Sequence, residues 1–342
     1  MKVQELPIKI HKKPRLNQPY LVAAGPGTGN VGLMTVEYLK DKLGAELLAE
    51  IGPGDFFSVL STFVIQDGVA GLSPVSAGDN PAENKLYFWK GGGAHDLLFF
   101  LGNTHPLPGK GRQFAEIVLD LAGKFGAKTL FIPGAFVTDT YHKKEPRVFG
   151  MVNKRELLPH LKDWQVEPVP SINVAYNMNT WLLSAAVERN LDAMGLITEI
   201  PFYTAEGPNP RACRALLGIM GDALSLPERV DLGSLDESVS TREIAIDENI
   251  EELKKSSDEK SREFIAYLER VEKGGEMVAE AEKDTVPLRS LGLIEKIYTQ
   301  AKSDPSKVGL LREELDKLDD TDRLEVFRKL GDELLDLFKR EN

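Results

Sequence analysis

The run Gly27-Thr28-Gly29-Asn30-Val31-Gly32 spells G-x-G-x-x-G near the start of a chain of 342 residues. Glycines at that spacing let a backbone approach a pyrophosphate, and a helix starting there turns its N–H groups towards the charge. The surroundings meet part of that requirement. Tyr20–Ala24 is a short apolar run that reads as a buried strand, Leu33, Val36, Leu39 and Leu43 then recur near helical spacing, and Glu50 lies close to the offset where a ribose hydroxyl is met. Three features oppose a coenzyme: Pro26 directly precedes the first glycine, Thr28 and Asn30 add polar bulk where close approach is needed, and no second mononucleotide half follows. A tight strand-to-helix turn is the expected use of the run and a pocket for an anion or small ligand the competing one; no cofactor is expected.

Other reactive groups are sparse. The five histidines, His11, His95, His105, His142 and His160, fall at no spacing typical of a zinc site, and no metal is expected. Asp139 and His142 follow an apolar strand, Thr129–Ile132, that Pro133-Gly134 is expected to stop. Loops after strands are where α/β proteins place ligands, so a pocket, if formed, sets Asp139 and His142 opposite Gly27, Thr28, Gly29 and Asn30. The alternative is that they are solvated loop residues. His95-Asp96 precedes a strand and suits a turn or cap. Asn173, Asn177 and Asn179 around Tyr176 either supply hydrogen bonds or start a helix. Cys213 is the single cysteine and sits among apolar neighbours in a predicted helix, as a buried inert thiol does. Gly102 to Gly109-Lys110-Gly111 misses a P-loop by two residues and lacks its hydroxyl; G-x-S-x-G and H-E-x-x-H are absent. No set of groups for catalysis emerges, which favours a non-enzymatic role.

Positioning these residues falls to two regions. Up to about residue 235, apolar strands (Tyr20–Ala24, Glu46–Ile51, Lys85–Lys90, Asp96–Leu101, Thr129–Ile132, Ala193–Ile200) are interspersed with amphipathic helices (Val31–Leu43, Arg112–Phe125, Asn177–Arg189, Asn209–Leu224). That order predicts a mostly parallel sheet covered on both faces. Beyond it the strands stop. Ile246–Glu272, Pro287–Ala301 and Asp322–Lys339 read as helices, and Phe327, Leu330, Leu334, Leu337 and Phe338 lie along one side of the last, a face for its own chain or for a partner. The reading is therefore an arm over 1–17, an α/β domain over 18–235 and an acidic helical extension over 236–342. Of the net charge of −11, the extension carries −10. That balance speaks against nucleic acid and against an anionic membrane surface. No apolar run is long enough to span a bilayer, "MKVQELPIKIHKKPRL" has no apolar core of a signal peptide, and one cysteine forms no internal disulfide, so the cytoplasm is expected.

"LVAAGPGTGNVGLMTVEYLKDKLGAELLAEIGPGDFF" resembles the opening of the PAC2 family, the proteasome assembly chaperone 2-like proteins. "DLLFFLGNTHPL", "FAEIVLDLAGKFGAKTLFIPGAFVTDTYHKKEPRVFG" and "EIPFYTAEGPNPRACRALLGIM" continue that likeness in order, over roughly 18–235. The resemblance implies a three-layer α/β/α domain shaped like purine nucleoside phosphorylases, self-association into a homo-oligomer, and a protein client that is proteasome-related in relatives. Some relatives end in a hydrophobic-Tyr-any tripeptide that docks into proteasome pockets; Arg340-Glu341-Asn342 does not match it. The expected function is assembly-chaperone-like protein interaction. The alternative is a small-ligand binder or enzyme of nucleoside or phosphate class, using a phosphorylase-like cleft.

Overall fold

Strands that are apolar throughout must be covered on both faces, whereas strands that alternate need cover on one. Both kinds occur in the computed structural model, which describes residues 8–57, 62–66, 69–73, 83–107, 109–169, 177–256, 258–273, 297–298 and 307–316. Its elements are β1 (Ile8–Ile10), β2 (Tyr20–Ala24), α1 (Val31–Lys42), β3 (Glu46–Ile51), β4 (Thr62–Gln66), β5 (Val69–Ser73), β6 (Asn84–Trp89), β7 (Leu97–Gly102), α2 (Gly111–Lys124), β8 (Thr129–Thr138), β9 (Val148–Val152), α3 (Leu158–Asp163), β10 (Glu167–Pro168), α4 (Met178–Glu188), β11 (Asp192–Pro201), α5 (Pro210–Ala223), α6 (Gly233–Lys255), α7 (Glu259–Glu272) and α8 (Val308–Asp316). They fall into two compact units, 1–273 and 274–342.

In the first unit the main sheet has the order β1-β3-β6-β7-β2-β8-β11-β9-β10, and β4 pairs with β5 in a separate hairpin. The centre, β7-β2-β8-β11, is parallel. On the flanks β1, β3, β6 and β7 pair antiparallel in turn, as β9 does with β11. Burial follows position. Leu97–Phe100 of β7 are all buried, while β6 alternates, with Asn84, Leu86 and Phe88 inward.

Two helical layers complete an α/β/α sandwich. Phe114, Val118 and Leu121 of α2 join Met178, Leu182 and Ala186 of α4 in one core. Val31, Val36 and Leu39 of α1 join Cys213, Leu216 and Met220 of α5 in the core on the other face. Full burial of each Leu or Phe contributes about 1.5–3 kcal/mol, so two such cores hold the sheet from both sides. Asn177 starts α4 with a capping box, its Oδ1 accepting from Thr180 N–H at 3.1 Å while its own N–H donates to Thr180 Oγ1 at 2.7 Å.

Pro133-Gly134 does not stop β8, which runs on to Thr138. Pairing with β2 ends at Phe131, so from Pro133 onward β8 pairs with β11 alone and a missing N–H is tolerated on the vacated side. Nor is Ile246–Glu272 a single helix. Ser256 adopts an extended ψ of 141°, and Asp258 caps a new helix by accepting from Ser261 N–H at 3.0 Å. The first of the two helices, α6, begins at Gly233 and buries Leu235 and Val239. The helix expected over 322–339, with Phe327, Leu330, Leu334, Leu337 and Phe338, lies outside the described residues, as does nearly all of that over 287–301. In the second unit α8 has Val308, Leu311 and Leu315 buried along one side.

Candidate functional site

Parallel strands bring their carboxyl ends to one edge of a sheet, and there the chain turns after β2, β8 and β11. After β2 each glycine of the turn meets another part of the chain. Gly25 N–H donates to Asn179 Oδ1 at 2.8 Å, which ties the turn to α4. Gly29 has φ +57° and Asn30 φ +50°, both left-handed, and Asn30 N–H closes the turn on the Gly27 carbonyl at 2.9 Å. A Cβ on Gly29 would stand 2.7 Å from Asn209 Nδ2 and 3.1 Å from Ile200 Cδ1. A Cβ on Gly32 would drive into the carbonyl oxygen of Pro133, closer than the 3.0 Å that real Cβ atoms keep. The third glycine thus lets α1 lie directly on the backbone of β8.

After β8, Asp139 and His142 are engaged by later elements. Tyr267 of α7 donates its hydroxyl to Asp139 Oδ1 at 2.9 Å. His142, with its side chain 3% exposed, sits between Asp247 of α6, 3.1 Å from Nε2, and Tyr203, 2.9 Å from Nδ1. With Asp247 accepting from Nε2–H, Nδ1 accepts from the Tyr203 hydroxyl, and the His142 backbone N–H donates to the same oxygen at 3.0 Å. Burial lowers the pKa of His142, against the pull of Asp247. Burial also raises that of Tyr203, which stays protonated. A Tyr–His–Asp chain with these directions ties α6 to the loop after β8 and to the turn after β11. Lys143 adds an ion pair to Asp247 at 2.7 Å. Phe202 and Tyr203 pack edge-on against Phe264 of α7, with ring centroids 6.1 and 5.6 Å away.

A small cavity lies under α6, with Thr140, His142, Glu199, Asn209, Arg211 and Arg242 among its lining residues. Of the six residues expected to form a pocket, His142 lines it. Gly27, Thr28, Gly29, Asn30 and Asp139 do not, and Gly29 rests against Asn209 and Ile200, two residues of the wall. Glu199 is held by Arg147 through Nε at 3.1 Å and Nη2 at 3.0 Å. Arg211 pairs with Glu243, and Arg214 bridges Glu145 and Asp236 at 3.2 and 3.1 Å. The sequence reading missed Tyr203, Asn209, Asp247 and Arg242; Asp247 stands 105 residues from its histidine, with no local pattern to link them. Cys213 is buried with its pKa pushed up to about 11, as an unreactive core thiol. His95 Nδ1–H donates to the Gln18 carbonyl at 2.9 Å and Asp96 accepts from Asn17 N–H at 2.7 Å, so both residues fix a turn. Among the described residues no cluster of metal-ligating side chains occurs, and no helix is long and apolar enough to cross a membrane.

The model of the PAC2 family matches residues 21–253. No curated protein matches. Among solved structures, the fold resembles Pyrococcus furiosus PbaB, described as an archaeal proteasome activator, with a TM-score of 0.58 at 22% identity over 71% of this chain and 98% of that one. A proteasome-assembly chaperone homologue from Mycobacterium tuberculosis gives 0.55 at 21% identity, over 72% and 99%. A PAC2 family protein from Streptomyces avermitilis gives 0.55 at 22%, over 67% and 95%.

Proposed function

Because the chain belongs to the PAC2 family, we propose that it is a non-enzymatic, assembly-chaperone-like protein that works in the cytoplasm by binding other proteins, its own copies included. The family match carries the proposal, and a proteasome activator and a proteasome-assembly chaperone homologue among the structural neighbours point to proteasome subunits as the partner class. The chemistry at the sheet edge agrees with it. The groups best suited to hold a substrate there, His142 and Asp139, are engaged by Asp247 and Tyr267 of the chain's own helices. Self-association follows the family resemblance.

Two measurements test the reading. Affinity purification from the native host should recover proteasome subunits with the full chain, and light scattering should give a mass above that of one chain. A monomer that recovers no proteasome subunit, and whose melting temperature rises with nucleosides in a manner abolished by Asp139→Ala, would establish the small-ligand alternative instead.

A further inference from the structure

We propose that a cleft at the amino end of the parallel strands binds a small aromatic zwitterion, an amino acid with a planar side chain, on the indole of Trp89. Register places the cleft. Trp89 pairs with Leu97, and Leu97 with Tyr20, the first residue of β2, so it lies at the opposite end of the sheet from the glycine turn. Its volume of about 430 Å³ falls within the range of small-ligand sites, about 300–1,000 Å³. Half-buried Trp89 gives it an aromatic wall, and Lys42, Glu228, Arg229 and Asp231 give it charge.

Both walls are fixed by the chain itself. A Cβ on Gly91 would come closer to the six-membered ring of Trp89 than the 3.0 Å that real Cβ atoms keep, so the indole lies directly against that glycine. The indole N–H has no acceptor among the described residues and is not buried. Across the cleft, Asp231 accepts from Lys42 Nζ at 2.8 Å and its carbonyl accepts from the Tyr38 hydroxyl at 2.9 Å, which ties the loop between α5 and α6 to α1. A site formed in advance loses little to ordering when a ligand enters. The charges then decide the ligand class. Two cations and two anions line the cleft, so neither a net acid nor a net base is preferred. Lys42 and Asp231 satisfy one another, whereas Arg229 and Glu228 are exposed and form no ion pair among the described residues. A free guanidinium, a free carboxylate and an aromatic face match a ligand that carries a carboxylate, an ammonium and a ring. This site shares no residue with the sheet edge described above and does not depend on the chaperone reading.

The full chain is titrated with L-phenylalanine, following the heat of binding, the melting temperature and tryptophan fluorescence. Saturable heat, a rise in melting temperature and a fluorescence change are expected, and the fluorescence change should vanish in Trp89→Phe, which keeps Trp164 and Trp181. Phenylpropionate, which lacks the ammonium, and phenethylamine, which lacks the carboxylate, should each bind about two- to fivefold more weakly, as loss of one exposed charge pair requires. Trp89→Leu should weaken binding of L-phenylalanine at least about tenfold, a loss of about 1.4 kcal/mol. Arg229→Gln, at an exposed position that leaves folding intact, should weaken it about two- to fivefold and abolish the preference over phenethylamine. No saturable binding of L-phenylalanine, binding unchanged in Arg229→Gln and Trp89→Leu, or L-leucine binding as tightly as L-phenylalanine overturns the proposal.

Discussion

Replacing Gly32 by alanine tests the claim that the glycine run serves the chain's own packing. Elsewhere in a helix this substitution stabilises, by about 0.4–1 kcal/mol, through the unfolded state. Gly218, exposed within α5 and with nothing within 4 Å of its would-be Cβ, should show that gain. At Gly32 the added methyl meets the Pro133 carbonyl oxygen inside 3.0 Å, and the obstacle is backbone in the central sheet, not the movable end of a side chain. Either α1 retreats by several tenths of an ångström along its contact with β8, or β8 bends; overpacking of this sort costs about 1–3 kcal/mol. Since about 1 kcal/mol moves the melting point of a large domain by some 2–4 °C, Gly32→Ala should melt about 3–9 °C below wild type and Gly218→Ala about 1–3 °C above it. Thermal unfolding of the two variants side by side, by circular dichroism, reads the difference. If Gly32→Ala gains stability as Gly218→Ala does, the close approach is not what holds glycine there.

The remaining predictions concern the covered edge. Phe264→Ala should cost about 2 kcal/mol, roughly half the cost of emptying a fully buried aromatic site, and hydrogen exchange should show α7 opening while the sheet stays protected. Because burial places His142's folded pKa below its ordinary 6.5, the folded state takes up that proton less readily than the unfolded one. Its contribution is complete above about pH 6.5 and is lost as pH falls through the depressed value. Urea midpoints measured from pH 7.5 down to 5 should therefore fall less steeply in His142→Gln than in wild type. A thiol reagent at pH 8 should leave native Cys213 unlabelled and label it fully in denaturant, as a thiol with a pKa raised to about 11 requires. A chain ended after Lys273 should keep the wild-type near-ultraviolet spectrum, whereas one ended after Leu235 should melt lower, having lost Val239, Asp247 and Tyr267 from the sheet edge.

The sheet core was legible because burial on two faces leaves a one-dimensional trace. "DLLFFL" and "YLVAA" are apolar without alternation, and both lie in the parallel centre. "KLYFWK" alternates large residues of both kinds, so its one-sided burial at the flank was not read from it. The short flanking strands β1, β9 and β10 were not read at all, since two to five residues carry too little periodicity. The change of composition near residue 235 marks the end of the strands. The compact unit runs on to Lys273 because polar helices pack through sparse contacts such as His142–Asp247, which composition does not record. Pro133 misled for a related reason: a proline stops a strand only where a neighbouring strand lies on the side its missing N–H would face, and the end of β2 is a fact about pairing, not about the residues near Pro133.

The glycine run shows why its own pattern was ambiguous. What it encodes is a demand for close backbone approach, and that demand is the same whether a pyrophosphate or another piece of protein comes near. Here the approaching groups are Asn209 and Ile200 at Gly29, Met178 and Asn179 at Gly25, and Pro133 at Gly32. All of them lie a hundred residues or more along the chain, so nothing adjacent in sequence could have named them. What separates the two uses is on which side of the turn the next atoms lie. The turn after β2 is filled from behind by the chain itself.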